Sequence, residues 1–272
     1  MKVYYMNGAG NDFMVIDARG LTLDYPALAR KCCAITGADG FMATDISDKA
    51  DFRLHFYNSD GTRGEMCGNG ARCICRYGYE RGLAGPIQRV ETTAGLIVGT
   101  RLGPDSYRVQ LNLPSVLESQ RVTSLGPAGY VELGQPGVPH AILRVPGLEE
   151  RSLEELRSMG QTLRHDHAFP KGANANLYDV LSQDHLVIRT FERGVEDFTY
   201  ACGTGTGSLV ALLTALGQTS GHGVRVENLG GQLIVDAEQT DGQISALLLT
   251  GPATLVCQGH VPDEALPEES TK

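Results

Sequence analysis

Two short stretches hold the residues best suited to chemistry, and they look like copies of one another. The first reads Glu65-Met66-Cys67-Gly68-Asn69-Gly70-Ala71-Arg72-Cys73, the second Tyr200-Ala201-Cys202-Gly203-Thr204-Gly205-Thr206-Gly207-Ser208. Each sets a cysteine before a Gly-polar-Gly triplet. Glycines let successive N–H groups turn into one concavity, and a following helix adds its unpaired amides and the positive end of its dipole. Such a nest attracts an anion, a carboxylate for example. A thiol at the same place has its pKa drawn from about 8.5 towards neutrality, so it can exchange a proton near physiological pH. Two such sites supply an acid and a base for one small anion. Taken singly, each cysteine is as well read as a small buried hydrophobe. A matched pair 135 residues apart in a chain of 272 favours the chemical reading and a duplicated unit.

The elements that must position these stretches follow from the pattern. Residues 1–17 read as strand, Gly-rich turn (Asn7-Gly8-Ala9-Gly10-Asn11-Asp12) and strand. Asn11 in that turn suits the capping of its own backbone. Residues 25–35 have helical spacing and stop near Gly37, and 51–57 alternate as a half-buried strand. The turn Asn58-Ser59-Asp60-Gly61 then delivers the chain to Cys67, with a helix after it to about Tyr79. Residues 90–101 and 107–113 read as strands. The pattern fades between Pro114 and Gly129, where a change of domain is expected. Short strands follow at 130–133 and 141–145. Ser152 with Glu155 forms a capping box that opens a helix to about Leu163, and His165 and His167 after it read as surface. Residues 172–180, containing Asn174 and Asn176, enter a strand, and 186–191 lead into Glu192-Arg193-Gly194. The apolar run 208–216 predicts a helix central to a core, and 223–235, 243–250 and 255–261 predict closing strands. The fold class expected is α+β with mostly antiparallel sheets. Residues 1–115 would form an N-terminal domain carrying Cys67, completed by a last strand at about 255–262. Residues 116–254 would form a C-terminal domain carrying Cys202, and 263–272 a disordered acidic tail.

Composition narrows the class. A net charge of −9 and the absence of basic clusters argue against a nucleic-acid or anionic-membrane surface. No apolar run nears the ~18 residues of a membrane span, and the first residues lack the pattern of a signal peptide. A cytoplasmic protein is expected. Seven cysteines without an export signal disfavour a disulfide framework, and their spacing lacks the CxxC pairs of a structural zinc site, so no metal is expected. The lysines, Lys2, Lys31, Lys49, Lys171 and Lys272, are not placed for a Schiff base.

These residues are enough for a comparison. The chain resembles the diaminopimelate epimerases over nearly its full length, through Asn7–Phe13 (NGAGNDF), Gly37–Gly40 (GADG), Asn58–Cys73 (NSDGTRGEMCGNGARC), Pro139-His140, Asn174, Glu192–Gly194 (ERG) and Ala201–Gly205 (ACGTG). The resemblance implies a homodimeric isomerase that needs no cofactor, neither metal nor pyridoxal phosphate. It implies two similar domains, each a mostly antiparallel sheet wrapped round a central helix. It implies inversion of one α-carbon, LL-diaminopimelate to the meso form, for lysine and peptidoglycan synthesis. By position, Cys67 and Cys202 match the two catalytic thiols, with His140 and Glu192 in support. Asn11, Asn58, Asn69, Asn174, Glu192 and Arg193 match substrate contacts, and Gly68, Gly203 and Thr204 match the amide nests. The chain departs from the common pattern at Asn7, often histidine, and at Val138, where many members have asparagine. Its segment 195–200 is one residue longer. Two other readings use the same thiols: a racemase of another amino acid on this scaffold, and a redox protein whose Cys67 and Cys202 form a working disulfide.

Overall fold

A computed structural model describes residues 1–64, 67–93 and 95–261. The backbone divides into one unit made of Met1–Val109 with the stretch from Gly251 onward, and a second, Gln110–Thr250. The first unit carries β1 (Lys2–Gly8), β2 (Asn11–Asp17), α1 (Tyr25–Thr36), β3 (Gly40–Asp45), β4 (Phe52–Asn58), α2 (Gly68–Glu80), β5 (Ile87–Thr92), β6 (Gly95–Arg101) and β7 (Ser106–Gln110). The second carries β8 (Pro114–Thr123), β9 (Gly126–Leu133), β10 (Val138–Arg144), α3 (Leu153–Arg164), β11 (Asn174–Ser182), β12 (His185–Glu192), β13 (Asp197–Phe198), α4 (Gly203–Ala215), β14 (Val224–Asn228), β15 (Gly231–Thr240) and β16 (Gln243–Pro252). A last strand, β17 (Thr254–His260), lies antiparallel to β1.

The two units follow the same course. Most described pairings are antiparallel, and each unit has parallel steps: β2–β3 and β4–β5 in the first, β10–β11 and β12–β14 in the second. A parallel step needs a crossover long enough to return the chain to the same end of the sheet. The crossovers are the helices, α1 then α2, and α3 then α4. β17 stands beside β1 as β8 stands beside β9, so the C-terminal strand completes the first unit. The fold is α+β, two similar domains, each with its sheet around one central helix.

Burial explains which helices are central. α4 is buried continuously from Gly205 to Thr214 and packs on β8, β9, β10, β11 and β15. Each of Leu209, Val210, Leu212 and Leu213 there contributes roughly 1.5–3 kcal/mol of transfer free energy. α2 buries Ala71, Cys73, Ile74, Cys75 and Tyr77 against β1, β2, β5 and β6. α1 and α3 are amphipathic and cover the outside, burying Leu28, Ala29, Cys32 and Cys33, and Leu156, Gly160 and Leu163, respectively.

Three of the differences from the sequence reading have a plain physical cause. The run 90–101 is not one strand but the hairpin β5–β6, turned at Gly95, whose φ of 112° only glycine adopts easily. The stretch 114–129 holds a full strand, β8. Its register shifts between Pro114 and Val116 and again between Glu118 and Arg121, which destroys the two-residue alternation. α4 begins at Gly203 rather than Ser208, because its glycines answer crowding and do not mark a loop. A Cβ at Gly207 would meet Leu111 and Leu247. The acidic tail expected at 263–272 lies outside the described residues.

Candidate active site

Helix starts usually take an oxygen cap, and the outer helices do. Asp24 accepts from the Ala27 N–H at 3.0 Å. Ser152 Oγ accepts from Glu155 at 3.3 Å while Glu155 accepts from the Ser152 N–H at 2.7 Å, the capping box expected. The central helices are capped by sulfur instead. The Gly70 N–H donates to Cys67 Sγ at 3.2 Å, and the Gly205 N–H to Cys202 Sγ at 3.3 Å. The Cys67 and Cys202 carbonyls accept from Ala71 and Thr206, each at 2.9 Å. A neutral thiol is a weak acceptor, whereas a thiolate takes a charge-assisted bond and sits well at the positive end of a helix. The same cap thus stands twice, on equivalent helices of the two units, in a form that suits an ionised sulfur.

Around Cys67, side-chain amides form a chain. Asn69 Nδ2 donates to Asn11 Oδ1 at 2.7 Å, and Asn11 Nδ2 donates to Asp39 at 3.2 Å. Asp39 also accepts from the Asp12 N–H at 2.8 Å, which ties the turn before β3 to the start of β2. The turn-capping amide is Asn7, which accepts from Gly10 at 3.2 Å, so Asn11 is left to bridge to the thiol helix. Asn58 lies in the adjoining turn and donates to Thr62 at 3.0 Å. The Ser59 N–H donates to the Asp39 carbonyl at 3.2 Å, drawing that turn in. Beneath them Arg72 is 0% exposed. Its guanidinium donates to the Asn69 side chain at 2.9 Å, to the Gly68 carbonyl at 3.3 Å and to the Pro252 carbonyl at 3.1 Å. Burial lowers its pKa to about 10, while Cys73 and Cys67 oppose that, so it remains a cation at neutral pH. Cys73 is pushed up to about 12 by burial and stays a thiol.

On the Cys202 side strands supply the surrounding groups: Asn176 and Thr190 face Gly205 together with Cys202 Sγ. His140 and Asn174 are register neighbours on β10 and β11. Asn174 Oδ1 accepts from the Arg193 N–H at 2.8 Å and so fixes the turn after β12. Arg193 is exposed, and one guanidinium nitrogen donates to the Lys171 carbonyl at 3.1 Å. Glu192 accepts from Thr199 at 3.0 Å, and Thr204 Oγ1 lies 3.5 Å from Cys202 Sγ. His140 is fully buried, and burial, with Arg193 nearby, lowers its pKa to about 3. His165 and His167 are exposed as expected. The longer segment 195–200 is absorbed by β13 and by a turn at Glu196 (φ 58°), held by Arg164 at 2.9 Å and His165 at 3.0 Å.

Arg72, Asn176 and Thr190 belong to these clusters and were not singled out from the sequence. Asn176 is fully buried beside His140 and Thr190, and a Cβ on Gly205 would collide with its Oδ1. The signals were present. Asn174 and Asn176 share one face of the buried start of β11, and Arg72 stands among the buried residues of α2 while Arg76 pairs with Glu80.

The fold defines a class of two-unit α+β proteins. The chain superimposes on a Bacillus anthracis phenazine biosynthesis protein with a TM-score of 0.73 at 16% identity, covering 96% of this chain and 99% of that one. It matches a hydroxyproline epimerase from Agrobacterium vitis with a TM-score of 0.67 at 18% identity, covering 96% and 90%. Within that class the sequence is more specific. The profile of the family described as diaminopimelate epimerase matches residues 3–111 and 134–256. The diaminopimelate epimerase of Aquifex aeolicus is 34% identical over 98% of this chain and 99% of its own length. That of Chlorobaculum tepidum is 35% identical over 94% and 99%. The chain belongs to the diaminopimelate epimerase family.

Proposed function

We propose that the protein interconverts LL- and meso-diaminopimelate, with Cys67 and Cys202 as the two proton-transfer groups. The observation that carries this reading is the repeated sulfur cap: outer helices capped by oxygen, central helices capped by cysteine. Inversion needs a base on one face of the α-carbon and an acid on the other, since a single group tends to return the proton to the face it left. One thiolate and one thiol meet that need and exchange roles with reaction direction. As the α-proton leaves, charge develops towards the substrate carboxylate. The helix-start amides at Gly68 and Asn69, and at Gly203 and Thr204, are the groups assigned to stabilise it. Arg193 serves as a planar partner for the distal carboxylate, and Asn11, Asn58 and Asn174 for the remaining polar groups. His140 and Glu192 support the thiols.

The enzyme is proposed to act as a homodimer in the cytoplasm, without metal or pyridoxal phosphate. In the second unit Lys171 is already committed to Glu132, 3.1 Å from both carboxylate oxygens. Incubation with LL-diaminopimelate in deuterated water is expected to yield the meso form carrying deuterium at the inverted carbon. Cys67→Ala and Cys202→Ala should each lower turnover by about two to four orders of magnitude. Retained turnover in either variant removes the two-thiol mechanism. Faster turnover of proline, lysine or glutamate moves the assignment to a racemase of that amino acid.

A further inference from the structure

We propose that Asn176 holds the His140 ring in its neutral Nε2–H form, so that His140 acts as a hydrogen-bond donor to an anion and not as a base. Asn176 Nδ2 lies 3.0 Å from the Ala141 carbonyl and 3.1 Å from the Asn174 carbonyl, while Thr190 Oγ1 lies 2.9 Å from Asn176 Oδ1. Carbonyl oxygens only accept, so the end of the amide facing them is the NH2 group. His140 Nδ1 sits 3.3 Å from that same NH2. A proton on Nδ1 would set donor against donor, so Nδ1 presents its lone pair and the single proton of the neutral ring is on Nε2.

Nε2 is buried and has no hydrogen-bond partner among the described residues. Leaving such a donor unmade costs about 1–3 kcal/mol, which points to a group that arrives later. Burial and the nearby Arg193 charge keep the ring from taking a second proton. That same charge makes an anion the favoured acceptor, either a thiolate or a substrate carboxylate. The tautomer stands on geometry alone; donation during turnover rests on the epimerase reading.

Long-range proton–nitrogen correlation on histidine-labelled whole protein tests the first part. His140 is assigned by the signal that disappears in His140→Gln. The expected spectrum has a protonated Nε2 and a bare Nδ1, with the same protonation pattern at pH 8 and at pH 5. A protonated Nδ1, or an imidazolium in that range, overturns the proposal. For the acceptor, an Nε2–H signal that moves as the thiols ionise without substrate identifies a thiolate. Movement only on adding diaminopimelate identifies a carboxylate, and no movement in either case overturns donation. In turnover, His140→Gln puts an amide N–H near the position of Nε2 and has no basic nitrogen. It should keep at least tenfold more kcat than His140→Ala. Equal kcat in the two variants overturns the donor role even where the spectrum holds.

Discussion

At the scale of single residues, the informative feature is a buried cation with no carboxylate partner among the described residues. Arg72 donates only to an amide oxygen and two backbone carbonyls, and it couples electrostatically to Cys73 and Cys67. Of those thiols Cys73 is fully buried and held protonated, so Cys67, which is half-buried, is the one the charge can act on. A positive group at that place favours a thiolate. Arg72→Met removes the charge while keeping most of the volume, and it leaves three acceptors short of donors. Each orphaned acceptor costs about 1–3 kcal/mol, partly offset by relief from burying a charge. Alkylation of Cys67 at neutral pH, followed peptide by peptide, should slow several-fold in Arg72→Met, with Cys202 unaffected. Equal rates at Cys67 in the two proteins would show that Arg72 serves folding only.

At the scale of elements, the duplicated helix starts are alike in hydrogen bonding and unlike in packing. A Cβ at Gly70 would touch Cys67 Sγ at 3.3 Å, with Phe13 and Met42 at 3.6 and 3.7 Å. At Gly205 it would also strike Asn176 Oδ1, an atom held by Thr190. Alanine gains about 0.5–1 kcal/mol over glycine in a helix, whereas overpacking a fixed core costs about 1–3 kcal/mol. Gly205→Ala is therefore expected to lower stability by about 1–2 kcal/mol. Gly70→Ala should keep its Tm within a few degrees yet lose turnover, because only the sulfur has to give way. Thermal melts of the two variants check this, and equal losses would refute it. The same contrast shows what was legible in the chain. The paired cysteine stretches, the capping box at Ser152 and the C-terminal strand were readable, because each rests on a local pattern of residue types. β8 was not, because its register shifts erase alternation. Nor was the early start of α4, because glycines chosen for space look like glycines chosen for a loop. Asn176 escaped because its role depends on β10 and β12, which meet it only in the folded sheet.

At the scale of the whole molecule, burial sets pH-sensitive groups at both ends of the scale. In the first unit Cys33, Cys73 and Cys75 are each pushed up to about 12 by burial. A thiol ionising more readily unfolded than folded contributes stability below about pH 9 that is lost as pH rises towards 12. In the second unit His140 is pushed down to about 3 from its ordinary 6.5. The unfolded chain protonates this ring below pH 6.5 and the folded chain does not, so unfolding takes up a proton and stability falls as pH falls. At about 1.4 kcal/mol per pH unit the loss reaches several kcal/mol if the window runs to its end. The carboxylates held low by their partners, such as Glu132, Asp179 and Glu227, act in the same direction. Their unfolded values lie near 4, however, so they begin to count only below about pH 5. Between pH 6.5 and 5 His140 therefore contributes an acid slope of its own. Urea midpoints taken from pH 7.5 to 5 should fall steadily in the parent protein. In His140→Gln, whose side chain cannot be protonated, the curve should be shallower over that interval, whatever its absolute height. Parallel curves would show that the imidazole titrates alike folded and unfolded, and that its burial does not exclude the proton.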